Sequence, residues 1–123
     1  MYTIAEVAEK FNVSKNTLRY YESEGLVPSI SRDQNGIRHY SENDVEILNR
    51  IIHMRRLGAT VKEAKWFDEE LAKDNPNYDA GLSFLDRLNT KLDQKIAEID
   101  QQKEFLRRKI DRIQKNKEEQ LSK

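Results

Sequence analysis

The sequence predicts a mostly α-helical protein: a module of short helices interrupted by one β-hairpin, then a single long helix. Three observations predict it. Only four Gly and two Pro occur in 123 residues, and 36% of the residues are charged against 37% hydrophobic, a composition that favours helix and is too polar for one large globular core. Ser or Thr stands three positions ahead of an acid before several apolar stripes, the signature of a capping box. From residue 82 onward there is neither Gly nor Pro, and Leu85, Leu92, Ile99, Leu106 and Ile113 recur at a spacing of seven, which is a coiled-coil register.

Each element follows from local signals. Thr3 with Glu6 opens a helix whose stripe is Ile4, Val7, Ala8 and Phe11. Asn12-Val13 breaks it, Ser14 is the next N-cap, and Thr17, Leu18 and Tyr21 carry a helical pattern to Gly25, a C-cap residue. After Val27-Pro28, Ile30 to Arg32 and Ile37 to Tyr40 are β-compatible runs flanking Asp33-Gln34-Asn35-Gly36, and Asn-Gly is a strong hairpin signal, so a β-hairpin wing is expected. Ser41 with Asp44 caps a third helix bearing Val45, Leu48, Ile51, Ile52 and Leu57 and ending at Gly58. Thr60 with Glu63 starts a fourth, to about Lys73, before the linker Asp74-Asn75-Pro76-Asn77.

The last helix is expected over Leu82 to Lys123, with Leu88, Ile96 and Ile110 widening its apolar stripe. Lys95, Gln102 and Lys109 fall where a second strict seam wants apolar residues, which disfavours a simple parallel dimer and is compatible with an antiparallel one. A helix of this length spans about 60 Å and has no core of its own, so it persists by burying the stripe against a partner. The expected organisation is a module over residues 1–74, then a linker and dimerisation helix over 75–123.

Several function classes are disfavoured. No apolar run approaches the roughly 18 residues of a membrane span, and the start lacks a secretory layout, so a cytoplasmic protein without membrane association is expected. There is no cysteine and only His39 and His53, which leaves no disulfide framework, no thiolate nucleophile and no metal cluster. No Gly-rich phosphate loop, acid-base constellation or partnered nucleophile is present, so neither enzymatic activity nor a cofactor is expected. The net charge is zero, with 22 basic and 22 acidic side chains; placement is therefore more informative than sum. Ser14 to Tyr21 holds Lys15 and Arg19 without an acid, the wing holds Arg32 and Arg38, and the third helix ends in Arg55-Arg56. On a helix from Ser14, the side chains of Lys15, Asn16, Arg19 and Tyr20 project away from Leu18 and Tyr21. Asn, Lys and Arg read base edges, and Tyr hydroxyls and Arg forks suit phosphate oxygens. The competing reading is a small helical core with a solvated basic side.

Taken in order, these segments resemble a known family. Thr3-Ile4-Ala5-Glu6-Val7-Ala8, Val13-Ser14-Lys15-Asn16-Thr17-Leu18-Arg19-Tyr20-Tyr21-Glu22, Gly25-Leu26 and Asn35-Gly36-Ile37-Arg38-His39-Tyr40 closely resemble the MerR family of bacterial transcription regulators. Asp44-Val45, Leu48 and Arg55-Arg56-Leu57-Gly58 continue the likeness, which covers essentially the whole chain. The resemblance implies a winged helix-turn-helix that dimerises through an antiparallel coiled coil. It also implies sequence-specific binding to an inverted repeat in double-stranded promoter DNA, with RNA polymerase as a further partner and a nucleoid-associated, cytoplasmic location. In such relatives the dimer bends and untwists a promoter with an overlong spacer, at a cost of a few kcal/mol for smooth bending.

Carried over by position, Arg19 and Tyr20 fall on recognition-helix contacts, Arg38 on the wing arginine and Arg55 on a phosphate-gripping residue, with Arg32 a weaker wing match. Together with Lys15 and Asn16 from the helix face and Tyr40 from the wing they make the candidate DNA-binding set, and the heptad stripe gives the dimerisation set Leu85, Leu88, Leu92, Ile96, Ile99, Leu106, Ile110 and Ile113. Ile37 stands where many relatives have Tyr, which removes one hydroxyl from the wing. Metal- and thiol-responsive relatives sense through cysteines, so this short, cysteine-free chain lacks those routes. The aromatic group Trp66, Phe67, Tyr78 and Phe84 is the candidate pocket for a small apolar or aromatic effector, with ordinary packing as the competing role. The rival to regulation is a structural, chromosome-associated protein that bridges DNA through the same module.

Overall fold

The computed structural model describes residues 1–27 and 30–122. The break expected at Pro28 and the final Lys123 lie outside the described residues. The described elements are, in order, α1 (Ile4–Phe11), α2 (Lys15–Ser23), β1 (Ser31–Arg32), β2 (Arg38–His39), α3 (Glu42–Arg56), α4 (Val61–Leu71) and α5 (Tyr78–Leu121). The mostly helical class and the long C-terminal helix are as the sequence predicts. The chain divides into two compact units, Met1–Phe84 and Leu85–Lys123.

Capping chemistry sets the helix starts of the first unit. Thr3, Ser41 and Thr60 each form a full capping box, with Glu6, Asp44 and Glu63 as reciprocal partners, so two otherwise orphaned N–H groups are satisfied at each start. Ser14 Oγ accepts from the Thr17 N–H at 3.0 Å and caps α2. Asn12 ends α1 in the left-handed conformation at φ 53°, a geometry that Asn tolerates better than most residues. This places α2 one tight turn after α1. Val7, Phe11, Leu18, Tyr21, Leu48, Ile51 and Ile52 are buried and form much of the core. Arg56 Nη2 donates to the Phe11 carbonyl at 2.5 Å, tying the end of α3 to the carbonyl end of α1.

The hairpin is short. Its antiparallel ladder pairs Ser31 with His39 and Arg32 with Arg38. The Gly36 N–H donates to the Asp33 carbonyl at 3.0 Å and the Asp33 N–H to the Ile37 carbonyl at 2.9 Å, while Gly36 takes φ +76°. A turn followed by one left-handed residue explains why Gly stands at this position. The base of the hairpin is closed by a further pair of backbone bonds, Tyr2 N–H to the Tyr40 carbonyl and Tyr40 N–H to the Tyr2 carbonyl, both 2.8 Å.

The last helix starts four residues before the expected Leu82. Asn77 Oδ1 accepts from the Ala80 N–H at 3.0 Å, the work of an N-cap, and Gly81 sits inside the helix rather than ahead of it. In the second unit Leu85, Ile96, Ile99, Leu106, Ile110 and Ile113 are exposed in the single chain, and Leu92 is half-buried. Leu88 differs, being only 3% exposed, so it offers little free surface to a second copy.

Candidate nucleic-acid interface

The second helix divides its side chains by face. Leu18 and Tyr21 are buried, which leaves Lys15, Asn16, Arg19 and Tyr20 exposed on the opposite side. No acid occupies the first turn of α2, so the positive end of the helix dipole adds to Lys15 and Arg19. Arg19 Nη1 donates to Asn16 Oδ1 at 2.9 Å. The two candidate readers are thus coupled before any ligand arrives.

The wing presents two more cations. Arg32 and Arg38 are directly opposite each other in the ladder, and both reach back to one carboxylate on α2. Arg38 Nε donates to Glu22 Oε2, and Arg32 Nη2 to Glu22 Oε1 at 3.3 Å. Partial burial resists ionisation of Glu22, yet the hydrogen bonds and charges of Arg38 and Arg32 outweigh it and hold its pKa below the usual glutamate value. At the turn, His39 Nε2 meets Asp33 Oδ2 at 3.1 Å. That contact, with the Ile37 and Asn35 N–H groups, lowers the pKa of Asp33.

One sequence assignment changes. Tyr40, expected to touch DNA, is 0% exposed and belongs to the core. β2 ends one residue earlier, and the backbone pair with Tyr2 turns this side chain inward. Its hydroxyl finds no hydrogen-bond partner among the described residues, and burial, then the charge of Glu22, raises its pKa. The adjacent arginines of α3 also separate in role. Arg55 is exposed and spends one N–H on the Ala59 carbonyl at 2.8 Å, which leaves most of its fork free for phosphate. Arg56 is the tie to α1 already described. Sequence reasoning missed Glu22 and Arg56 as working residues, because their partners lie ten to 45 positions away and no local pattern marks such contacts.

The model of the MerR HTH family of regulatory proteins matches residues 2–70, the stretch that carries α1, α2, the wing, α3 and nearly all of α4. This chain belongs to that family. An uncharacterized HTH-type transcriptional regulator of Haemophilus influenzae is 31% identical over 116 residues, or 94% of this chain and 86% of the relative. The mercuric resistance operon regulatory protein of Bacillus cereus is 34% identical over 96 residues, covering 75% and 73%. Among solved structures, HiNmlR, a MerR family regulator lacking the sensor domain and bound to promoter DNA, matches with a TM-score of 0.67 at 31% identity, over 81% of this chain and 76% of that one. A MerR family protein from Listeria monocytogenes matches with a TM-score of 0.69 at 28% identity, over 90% and 84%.

In this MerR-family chain the four aromatic residues proposed for an effector do not make one pocket. Trp66, Phe67 and Phe84 pack on each other, with Phe84 centred 5.7 Å from Trp66 and 5.6 Å from Phe67. Phe84 is only 1% exposed, whereas Tyr78 is 65% exposed. Phe84 is thus packed between the other two rings. A cavity of about 460 Å³ lies instead between α3 and α4, with Met54, Ala64, Leu71 and Ala72 as its apolar wall and Phe67 as the one residue shared with the aromatic group. Arg50 Nε and Asp68 Oδ1, 2.6 Å apart, bridge the two helices beside it. Among the described residues no cluster of metal-ligating side chains is found, and no helix is long and apolar enough to cross a membrane.

Proposed function

We propose that this protein is a dimeric transcriptional regulator that binds an inverted repeat within a promoter and distorts it. Each α2 enters a major groove, with Lys15, Asn16, Arg19 and Tyr20 toward the bases and nearby phosphates. Arg32 and Arg38 of the wing and Arg55 of α3 grip the flanking backbone. The observation that carries this reading is the exposed face of α2 through Lys15, Asn16, Arg19 and Tyr20, with no acid in its first turn, flanked by arginines on two further elements. The promoter-bound state of the homologous HiNmlR supports it. Two modules can meet one duplex only at fixed separation, and the exposed row through Ile96, Ile99, Leu106, Ile110 and Ile113 supplies a self-complementary surface for that. RNA polymerase at the same promoter is the further partner of this reading. A small apolar effector, where one acts, fits the α3–α4 cavity better than the packed ring cluster, because only the cavity offers open volume.

Selection of bound duplexes from random DNA, followed by footprinting, tests the proposal. The expected result is one inverted repeat protected over two successive major grooves. Weak coating without sequence preference would replace regulation with the architectural, DNA-bridging role.

A further inference from the structure

The wing contains an electrostatic conflict that its own strands cannot resolve. Arg32 and Arg38 are cross-strand partners in a ladder of two residue pairs, and like charges placed directly opposite destabilise such a pair. With only two residues in each strand there is little further pairing to offset the repulsion. The compensating charge comes from another element: Glu22, near the end of α2, places one carboxylate oxygen on each arginine. The contacts are unequal. The Arg38 side chain is 20% exposed and Arg32 is 50% exposed, so Arg38 is the anchored partner and Arg32 the one within reach of an external anion.

We propose that Glu22 is the positioning residue of the wing: its carboxylate holds Arg32 and Arg38 side by side against α2 and yields Arg32 to a backbone phosphate when a duplex docks. The inference rests on the DNA-binding reading above for its second half only. The first half concerns the free protein. An ionic clamp between recognition helix and wing fixes the spacing between the base-reading side chains and the flanking phosphate contacts, so it bears on which duplexes fit, not merely on how tightly any duplex is held. Exchanging one carboxylate for one phosphate also leaves Arg32 paired throughout, with no step in which its charge is stranded.

The test begins with amide hydrogen exchange on the free, full-length protein, read at Asp33 and Gly36, whose N–H groups close the wing, with Leu48 of the α3 core as internal reference. E22Q is expected to speed wing exchange on the order of fivefold and leave Leu48 unchanged. Added salt should loosen the wild-type wing, which is held by attraction to Glu22, and tighten the E22Q wing, where the Arg–Arg repulsion is no longer countered by that carboxylate. The double variant E22Q/R32Q should restore slow exchange, because it removes the repulsion together with its counter-charge. Equal salt response in wild type and E22Q, or no rescue in the double variant, overturns the clamp. Binding to a random duplex and to the selected operator then tests the hand-over. E22Q should bind the random duplex several-fold more tightly and lose operator preference, and an unchanged ratio overturns that half. If no form binds any duplex, the DNA-binding reading and the hand-over fail together, while the exchange data still decide the clamp.

Discussion

At the scale of single residues, the hydrogen bond from Arg19 to Asn16 couples the two proposed readers. Each good base contact is worth about 1–3 kcal/mol of discrimination, but the losses from Asn16→Ala and Arg19→Ala should not add. The double variant is expected to cost clearly less than the sum of the singles, as measured by operator titration around the full cycle. Arg55→Ala should act differently, weakening all duplexes alike and lowering the slope of log affinity against log salt by about one. Glu22 also gives a prediction in pH. Its folded pKa lies below the ordinary 4.5, so the stability it contributes is fully present above that value and is lost as pH falls through the folded pKa. The stability gap between wild type and E22Q, followed by urea unfolding, should therefore be widest near neutrality and close in acid. The shared exposure of Lys15, Asn16, Arg19 and Tyr20 was legible because it follows from their spacing on one short helix. Tyr40 was misread, since its neighbours Arg38 and His39 lie in the wing and nothing local says that the strand ends before it.

At the scale of elements, what could be read was what short-range chemistry dictates. Three capping boxes and one Ser cap place the starts of α1 to α4, because a cap and its partner lie within one turn. The Asn-Gly turn places the wing for the same reason. The start of α5 was placed too late because Gly81 and Pro76 look like breakers, whereas Asn77 caps the helix between them. Gly81 lies where a Cβ would stand 3.5 Å from Leu71 and 3.7 Å from Phe67, so the first turns of α5 pack closely on α4. The aromatic cluster is the visible result. Phe84→Ala should cost about 3–5 kcal/mol, seen as a large drop in melting temperature. Tyr78→Ala, at an exposed position, should stay within about 0.5 kcal/mol.

At the scale of the whole molecule, the apolar row on α5 is centred so that the proposed antiparallel pairing can be tested against a parallel one. Ile99 lies at the middle of the helix, and Leu85 and Ile113 stand equally far to either side. An antiparallel pair then places Ile99 beside Ile99 of the partner subunit and Leu85 beside Ile113 of the partner subunit. The chain has no native cysteine, so single thiols report directly. Ile99→Cys should cross-link as a homodimer on mild oxidation and Leu85→Cys alone should not, while a mixture of Leu85→Cys and Ile113→Cys chains should. Efficient self-linking of Leu85→Cys would indicate a parallel pair. Leu92→Glu with Ile99→Glu should yield monomers in sedimentation that hold a half-site poorly. The seven-residue repeat made the long helix legible, but the repeat does not say where the first unit ends. That limit falls after Phe84, ten residues beyond the expected 74, and it has a practical corollary. A reading head trimmed at the linker would be missing a plug of its own interior: Trp66 and Phe67 would face water where Phe84 had been, and the fragment would be prone to clump for reasons unrelated to its affinity for nucleic acid.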